Sequence, residues 1–107
     1  MPLFIKPSAK LKGLQPEILI GLRVLEDVLD KYGYDTVITE ATGGSHMEES
    51  LHYKGLALDI RSKHIVLKDT KTKIMLEVKL ALQDDYDFLL ENPNSPNEHF
   101  HLEFDPK

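Results

Sequence analysis

The sequence contains no cysteine, and this absence limits the chemistry that the chain can carry out. Without cysteine there is no disulfide framework, and no thiolate is present to bind a metal. A transition metal would therefore have to be bound by the nitrogen and oxygen atoms of histidine, aspartate and glutamate.

Basic charge and long apolar segments are also scarce. The formal net charge of −5 argues against nucleic acid or an anionic membrane as a partner, because both select clustered lysine and arginine. No apolar run approaches the ~20 residues that a membrane span needs. The N-terminal segment MPLFIKPSAK lacks the long apolar core of a secretory signal peptide, so we expect a chain that is cytoplasmic as synthesised.

What the sequence does contain is enough for one small domain. Its 107 residues are 41% hydrophobic, which predicts a single, monomeric domain over residues 1–107 with one buried core. A helix is predicted over residues 16–31, with Pro16 in its first turn and Gly33 as its C-terminal cap. Its apolar positions at helical spacing are Ile18, Leu22, Leu25, Leu29 and Tyr32.

The remaining elements are a second helix and several short strands. The helix is predicted over residues 70–83, with Asp69 as its N-cap and apolar residues on almost every side. The predicted strands cover residues 35–39, 55–61, 86–90 and 99–104. The first 14 residues are expected to form an extended arm or loop. Together these elements predict an α+β fold, in which a small antiparallel sheet packs against two main helices.

Two short motifs bring together residues of the kind that bind metals. The first, S-x-H-x-x-G-x-A-x-D, places His52 on a loop and Asp59 on the polar face of the strand that follows. The second combines E-x-x-H with H-x-H, in which His99 and His101 project from the same face of a strand. Catalytic zinc usually takes three protein ligands and keeps a fourth position open. One of these two histidines would therefore bind the metal, while the other stands beside the open position.

These residues suggest the hydrolysis of an amide by a metal-activated water. Two neutral imidazoles and one carboxylate leave a divalent ion with residual positive charge, which lowers the pKa of a bound water toward ~7. Glu98 could accept the proton of that water. In a regular strand Glu98 would face away, so it must lie on the turn before the strand. His99, or His46 from the preceding loop, could stabilise the oxyanion.

The same motifs resemble those of the zinc D-Ala-D-Ala peptidases, the related L-Ala-D-Glu endopeptidases and the N-terminal signalling domain of hedgehog proteins. The likeness to hedgehog is close over residues 37–60, VITEATGGSHMEESLHYKGLALDI, and the closing HFH resembles the H-x-H of both groups. The resemblance covers the chain from Val37 onward and is weak over the N-terminal third. It implies a hedgehog/DD-peptidase-like fold.

The resemblance also implies an activity and a set of site residues. The activity is that of a zinc metallopeptidase that hydrolyses peptidoglycan stem peptides, as a carboxypeptidase or as an endopeptidase, like compact lytic enzymes of phages or bacteria. The implied ligands of Zn²⁺ are His52, Asp59 and His101. Glu98 matches the general base of the peptidases, and His46 and His99 match histidines that line the pocket.

Two departures from the family patterns leave other functions open. No arginine or lysine lies between Glu40 and His46, where the peptidases carry an arginine, so that role is unfilled or falls to His46 or His99. The acidic stretch of the hedgehog calcium site is replaced by residues 41–44, so we predict no calcium site. The alternative function is a catalytically silent zinc-binding interaction domain of the hedgehog type. A third possible function is a zinc hydrolase with a non-peptide substrate, but nothing in the sequence supports it.

Overall fold

The computed structural model describes residues 2–43 and 50–106. Its helices and strands follow in the order β1 (Leu3–Ile5), α1 (Pro16–Lys31), β2 (Thr36–Glu40), β3 (Ala57–Arg61), α2 (Lys68–Leu82), β4 (Tyr86–Glu91) and β5 (His99–Phe104). A 3-10 turn over Gln83–Asp85 joins α2 to β4. Two helices and a five-stranded sheet confirm the predicted α+β class.

Helix α1 has the bounds that the sequence predicts. Pro16 stands in the first turn, where its missing N–H is harmless because that group would have no partner within the helix. Gly33, just past the helix end, has a φ of +81°, a conformation that favours glycine. The apolar stripe faces the core, and its buried members are Ile18, Leu22, Leu25 and Leu29.

Helix α2 begins at Lys68, two residues earlier than predicted, and its N-cap is Leu67 without a side-chain hydrogen bond. The prediction of Asp69 as N-cap was wrong, because Asp69 lies inside the first turn, where its charge favours the positive end of the helix. The buried residues recur four apart as Ile74, Val78 and Leu82. Leu76 and Leu80 are 59% and 69% exposed, so the helix is amphipathic rather than apolar on every side. Neither helix in the described part of the chain is long and apolar enough to span a membrane.

The sheet has the strand order β1-β2-β3-β5-β4, and its strands are not all antiparallel. Strand β1 runs parallel to β2, whereas the other neighbouring pairs are antiparallel. This corrects the prediction of a purely antiparallel sheet, and it also corrects the prediction of an arm or loop for the first residues. A three-residue strand between Pro2 and Pro7 is too short to show the alternation by which strands are recognised in a sequence.

Residues that pair directly across β3, β5 and β4 point to the same face of the sheet, and successive pairs alternate between the two faces. One face is apolar and is buried against α1 and α2, and its residues include Leu58, Ile60, Phe88, Phe100 and Leu102. The other face is mainly polar, and its residues include Asp59, Arg61, Asp87, Glu91, His99, His101 and Glu103. The core thus lies between the sheet and the helices, and the histidines stand on the side away from it.

Candidate metal centre

The three predicted metal ligands converge on the polar face of the sheet, and we call His52, Asp59 and His101 the metal triad. Nε2 of His52 lies 3.2 Å from Oδ1 of Asp59, and Nδ1 of His101 lies 3.0 Å from the same oxygen. All three atoms lie within 4.8 Å of one another. Zinc bonds to nitrogen and oxygen are about 2.0–2.2 Å long, so the ligand atoms of one tetrahedral ion stand ~3.3 Å apart. The spacing in the triad therefore suits a single zinc ion.

Pairing between β3 and β5 positions two of the three side chains. Asp59 and His101 are direct cross-strand partners, so their side chains leave the sheet side by side. His52 comes from the turn before β3, and Gly55 lets this turn pack against the segment before α1. The φ of Gly55 is +73°, and a Cβ at this position would overlap the carbonyl oxygen of Gly13. The glycine of the first motif is therefore required by the backbone that carries His52 to the strand.

In each triad imidazole, the ring nitrogen that faces away from Asp59 donates a hydrogen bond to an acceptor, and we call it the outer nitrogen. Nδ1 of His52 donates to the carbonyl oxygen of Ala41 at 2.7 Å, so Nε2 is the nitrogen that faces Asp59 and could bind a metal. Nε2 of His101 donates in the same way to Oε1 of Glu103 at 2.7 Å, which leaves Nδ1 for the metal. Such partners fix both the orientation and the tautomer of a metal-binding histidine.

The pKa values of Asp59 and His101 are shifted because two imidazoles lie within 3.2 Å of one carboxylate oxygen. Burial on its own would raise the pKa of Asp59, but hydrogen bonds from His101 and His52 outweigh it and hold this pKa well below its usual range. Burial on its own would lower the pKa of His101, but its hydrogen bonds to Asp59 and Glu103 raise this pKa to about 9. The surroundings therefore favour positive charge between these side chains, and a bound divalent ion would replace the proton of His101.

His99 lies beside the triad, in the position expected for a residue that lines the pocket. Its Nε2 is 3.7 Å from Oδ2 of Asp59, and its Nδ1 donates to the carbonyl oxygen of Asn97 at 2.7 Å. The triad uses the other oxygen of Asp59, so His99 stands next to the three ligand atoms without being one of them. His46, the other predicted lining residue, lies outside the residues that the structure describes.

Glu98, the predicted general base, directly precedes β5 and lines an open cavity that Asp59 and His99 also line. Its Oε2 accepts hydrogen bonds from Oγ of Ser62 at 2.6 Å and from Nζ of Lys71 at 2.8 Å, and its Oε1 accepts one from the backbone N–H of Asn94 at 3.1 Å. Lys71 belongs to α2, which packs against the apolar face. The structure therefore does not bring the carboxylate of Glu98 to the metal triad.

These partners also make Glu98 a weak proton acceptor. Burial on its own would raise the pKa of this carboxyl, but Lys71, Ser62 and the N–H of Asn94 hold it at about 2. A general base is most effective when its pKa lies near the working pH. Through its hydrogen bonds to Asn94 and Lys71, Glu98 connects the turn before β5 to helix α2.

The structure adds one carboxylate that sequence reasoning did not identify. Glu91 ends β4 directly opposite His99, and its Oε1 lies 2.9 Å from Nε2 of that histidine. The same oxygen lies 3.9 Å from Nδ1 of His101. The sequence contained a signal for this contact, because a hairpin with its turn over residues 92–98 places the last residue of one strand beside the first residue of the next.

The loop before His52 contains no arginine, but strand β3 carries one, Arg61. Arg61 is the cross-strand partner of His99 on the polar face. Together with Asp59 and His99 it lines an open cavity of about 510 Å³, to which Lys6 and Lys63 also contribute. Cationic side chains thus stand next to the triad.

Structural zinc sites are filled by four protein ligands, whereas catalytic sites have three. Within residues 2–43 and 50–106, the triad offers three atoms at short range, and Oε1 of Glu91 is farther away, at 3.9 Å from Nδ1 of His101. No family model, no curated protein and no solved structure matches this chain.

Proposed function

We propose that this chain is a zinc metallopeptidase with a hedgehog/DD-peptidase-like fold, and that it hydrolyses amide bonds of peptidoglycan stem peptides. The observation that carries the proposal is the triad, in which two imidazole nitrogens lie 3.0 and 3.2 Å from one carboxylate oxygen. The outer nitrogen of each of these imidazoles is already held by an acceptor. The peptidase activity and the substrate class are proposed from the motifs, which resemble those of the D-Ala-D-Ala and L-Ala-D-Glu peptidases.

A divalent ion at the triad would supply Lewis-acid chemistry for hydrolysis. His52 and His101 would hold it as neutral imidazoles and Asp59 as a carboxylate, so the protein would neutralise one of its two positive charges. The side chains around the triad then have two tasks. They receive the proton of the attacking water, and they hold the substrate.

We assign the proton transfer to the Glu91–His99 pair rather than to Glu98. The pair is hydrogen-bonded at 2.9 Å on the same face of the sheet as the triad. It can accept the proton of the attacking water and return it to the leaving amine. Both oxygens of Glu98 are already bonded to Ser62, Lys71 and Asn94, so we assign this residue a structural role.

The cationic side of the cavity suits the proposed substrate. Stem peptides carry free carboxylates, and an arginine can hold a carboxylate through two parallel hydrogen bonds. Arg61 lines the cavity beside His99, and Lys6 and Lys63 add positive charge to the same cavity. Strand β3 would thus supply the group for which the loop before His52 has no arginine.

The proposal is tested by incubating the zinc-loaded chain with purified peptidoglycan, with the metal-stripped chain as control. Newly released amines report cleavage, and mass analysis of the muropeptides identifies the bond. Glu91→Gln should abolish cleavage while it keeps the zinc ion of the triad, whereas Glu98→Gln should still cleave. Equal release of amines with and without zinc would refute the proposal.

One observation favours a second candidate, a catalytically silent zinc-binding domain that recognises a partner. The glutamate of the E-x-x-H motif is bonded to Ser62 and Lys71 and does not reach the triad. Such a chain would bind zinc without hydrolysing a peptide. The same assay separates the two candidates, because a zinc-loaded chain that stays silent across stem peptides of every type supports the binding domain.

A further inference from the structure

The Glu91–His99 pair is arranged like a metal site as well as like a proton acceptor. Ligand atoms of Asp59, Glu91 and His99 all lie within 4.8 Å of one another. Nε2 of His99 is 2.9 Å from Oε1 of Glu91 and 3.7 Å from Oδ2 of Asp59. Because the triad uses Oδ1, the carboxylate of Asp59 has one oxygen for each group.

His99 is also oriented as a metal ligand. Its Nδ1 donates to the carbonyl oxygen of Asn97 at 2.7 Å, just as Nδ1 of His52 donates to that of Ala41. A carbonyl can only accept, so Nδ1 carries a proton and Nε2 is the nitrogen that faces the two carboxylates. A divalent cation between Nε2 and these carboxylates would take the place of the proton in the hydrogen bond to Glu91. One imidazole and two carboxylates form a ligand set that zinc and other first-row divalent ions bind.

The surrounding charge favours a cation at this place. Glu40 is the partner of Asp59 across β2 and β3, and it lines the same cavity as His99. Its Oε1 is buried and has no hydrogen-bond partner within residues 2–43 and 50–106, and a nearby cation would compensate its charge. Four carboxylates stand around the two groups: Glu40, Asp59, Glu91 and Glu103. Lys6, Arg61 and Lys63 line the same cavity, so these four carboxylates still outnumber the lysine and arginine side chains there.

We propose that Asp59, Glu91 and His99 form a second site for a divalent cation, adjacent to the triad and sharing Asp59 with it. This second site is the weaker of the two for three reasons. The side chain of Glu91 is 44% exposed, the ligand atoms are spread more widely, and two ions at short range repel each other. The site therefore fills only after the triad is occupied.

Occupation of the second site would stop the proposed hydrolysis. A carboxylate and an imidazole that hold a cation cannot accept the proton of a water, so excess metal would convert the Glu91–His99 pair from proton acceptor to ligand. This consequence rests on the proposed function, whereas the binding itself does not. The proposed hydrolytic activity would rise when the first ion binds and fall when the second ion binds.

The binding is tested by titrating the metal-stripped full chain with zinc in a calorimeter. The wild type should bind two equivalents, one tight and one weak. Glu91→Gln and His99→Ala should each remove the weak equivalent and keep the tight one. Asp27→Asn is the control of equal charge, since Asp27 lies on α1 with its side chain 63% exposed, and it should keep both. A single equivalent in the wild type, or a weak equivalent that persists in both variants, would overturn the proposal.

Stem-peptide cleavage measured across the same zinc titration separates this inference from the proposed function. Activity that rises with the first equivalent and falls with the second supports both. Two equivalents without any cleavage support the second site and contradict the peptidase. Cleavage that continues while the second equivalent binds contradicts the inhibitory role. A chain that binds no zinc contradicts both proposals.

Discussion

Asp59 and His101 face each other across β3 and β5, with Oδ1 of the aspartate 3.0 Å from Nδ1 of the histidine. Antiparallel pairing fixes this contact, because direct cross-strand partners extend from the same face of a sheet. The triad therefore needs only one residue from outside the sheet, and the turn before β3 supplies His52. A site built on paired strands is held in position by the scaffold itself, which favours tight and specific metal binding.

Zinc is expected to stabilise the chain through the triad and not through other histidines. At a free zinc concentration of about 100 times the dissociation constant, binding adds about 2.7 kcal/mol to the free energy of unfolding. His52→Ala should lose this increment, because it removes one of the three ligands. His64→Ala is the matched control, since Nε2 of His64 bonds to the carbonyl oxygen of Asp35 at the far end of β2. Thermal melts with and without zinc measure the increment, and its survival in His52→Ala would contradict the triad.

The carboxylate of Glu103 is expected to tune zinc affinity without touching the ion. It holds the outer nitrogen of His101, and Glu103→Gln weakens that hold because a neutral amide replaces a charged acceptor. The dissociation constant for zinc should rise about 10- to 100-fold. Competition with a chelator of known affinity measures the change, with Asp27→Asn on α1 as a control of equal charge. Equal affinity in Glu103→Gln and wild type would show that this contact does not orient the ligand.

The prediction of the triad rests partly on strand alternation and partly on the resemblance to the zinc peptidases, which alone chose His101 over His99 on the same strand face. His52 and Asp59 are joined by one turn and part of one strand, and His101 needs only the pairing of β3 with β5. Alternation along a strand indicates which face each side chain takes, so the spacing of the motif residues is nearly enough to place them.

The roles of the two glutamates could not be predicted in the same way. The side that Glu98 takes depends on where the turn ends and on Lys71, a partner 27 residues away on α2. Glu91 becomes part of the site only through the register of β4 against β5. Strand β1 presents the same difficulty, because its parallel pairing with β2 is a long-range contact that three residues do not encode.

Glu98→Gln is expected to destabilise the fold while zinc affinity stays unchanged. The substitution removes the charge that compensates Lys71, whose side chain is only 14% exposed, and it weakens the bond from Ser62. The free energy of unfolding should fall by about 1–3 kcal/mol. Denaturant unfolding of the metal-stripped chain measures this loss, and a parallel zinc titration measures affinity. A drop in zinc affinity with unchanged stability would place Glu98 at the metal after all.

Gly55→Ala is expected to affect both the fold and the metal site, and Gly33→Ala provides its control. Both glycines have positive φ, at +73° and +81°, so each alanine meets the same backbone strain of about 1–2 kcal/mol. At Gly33 a Cβ meets no atom within 4 Å, whereas at Gly55 it overlaps the backbone at Gly13. Only Gly55→Ala must therefore displace the turn that carries His52, and only this variant should also bind zinc more weakly. Unfolding and zinc titrations of the two variants test this, and equal zinc affinity in both would show that the turn does not position His52.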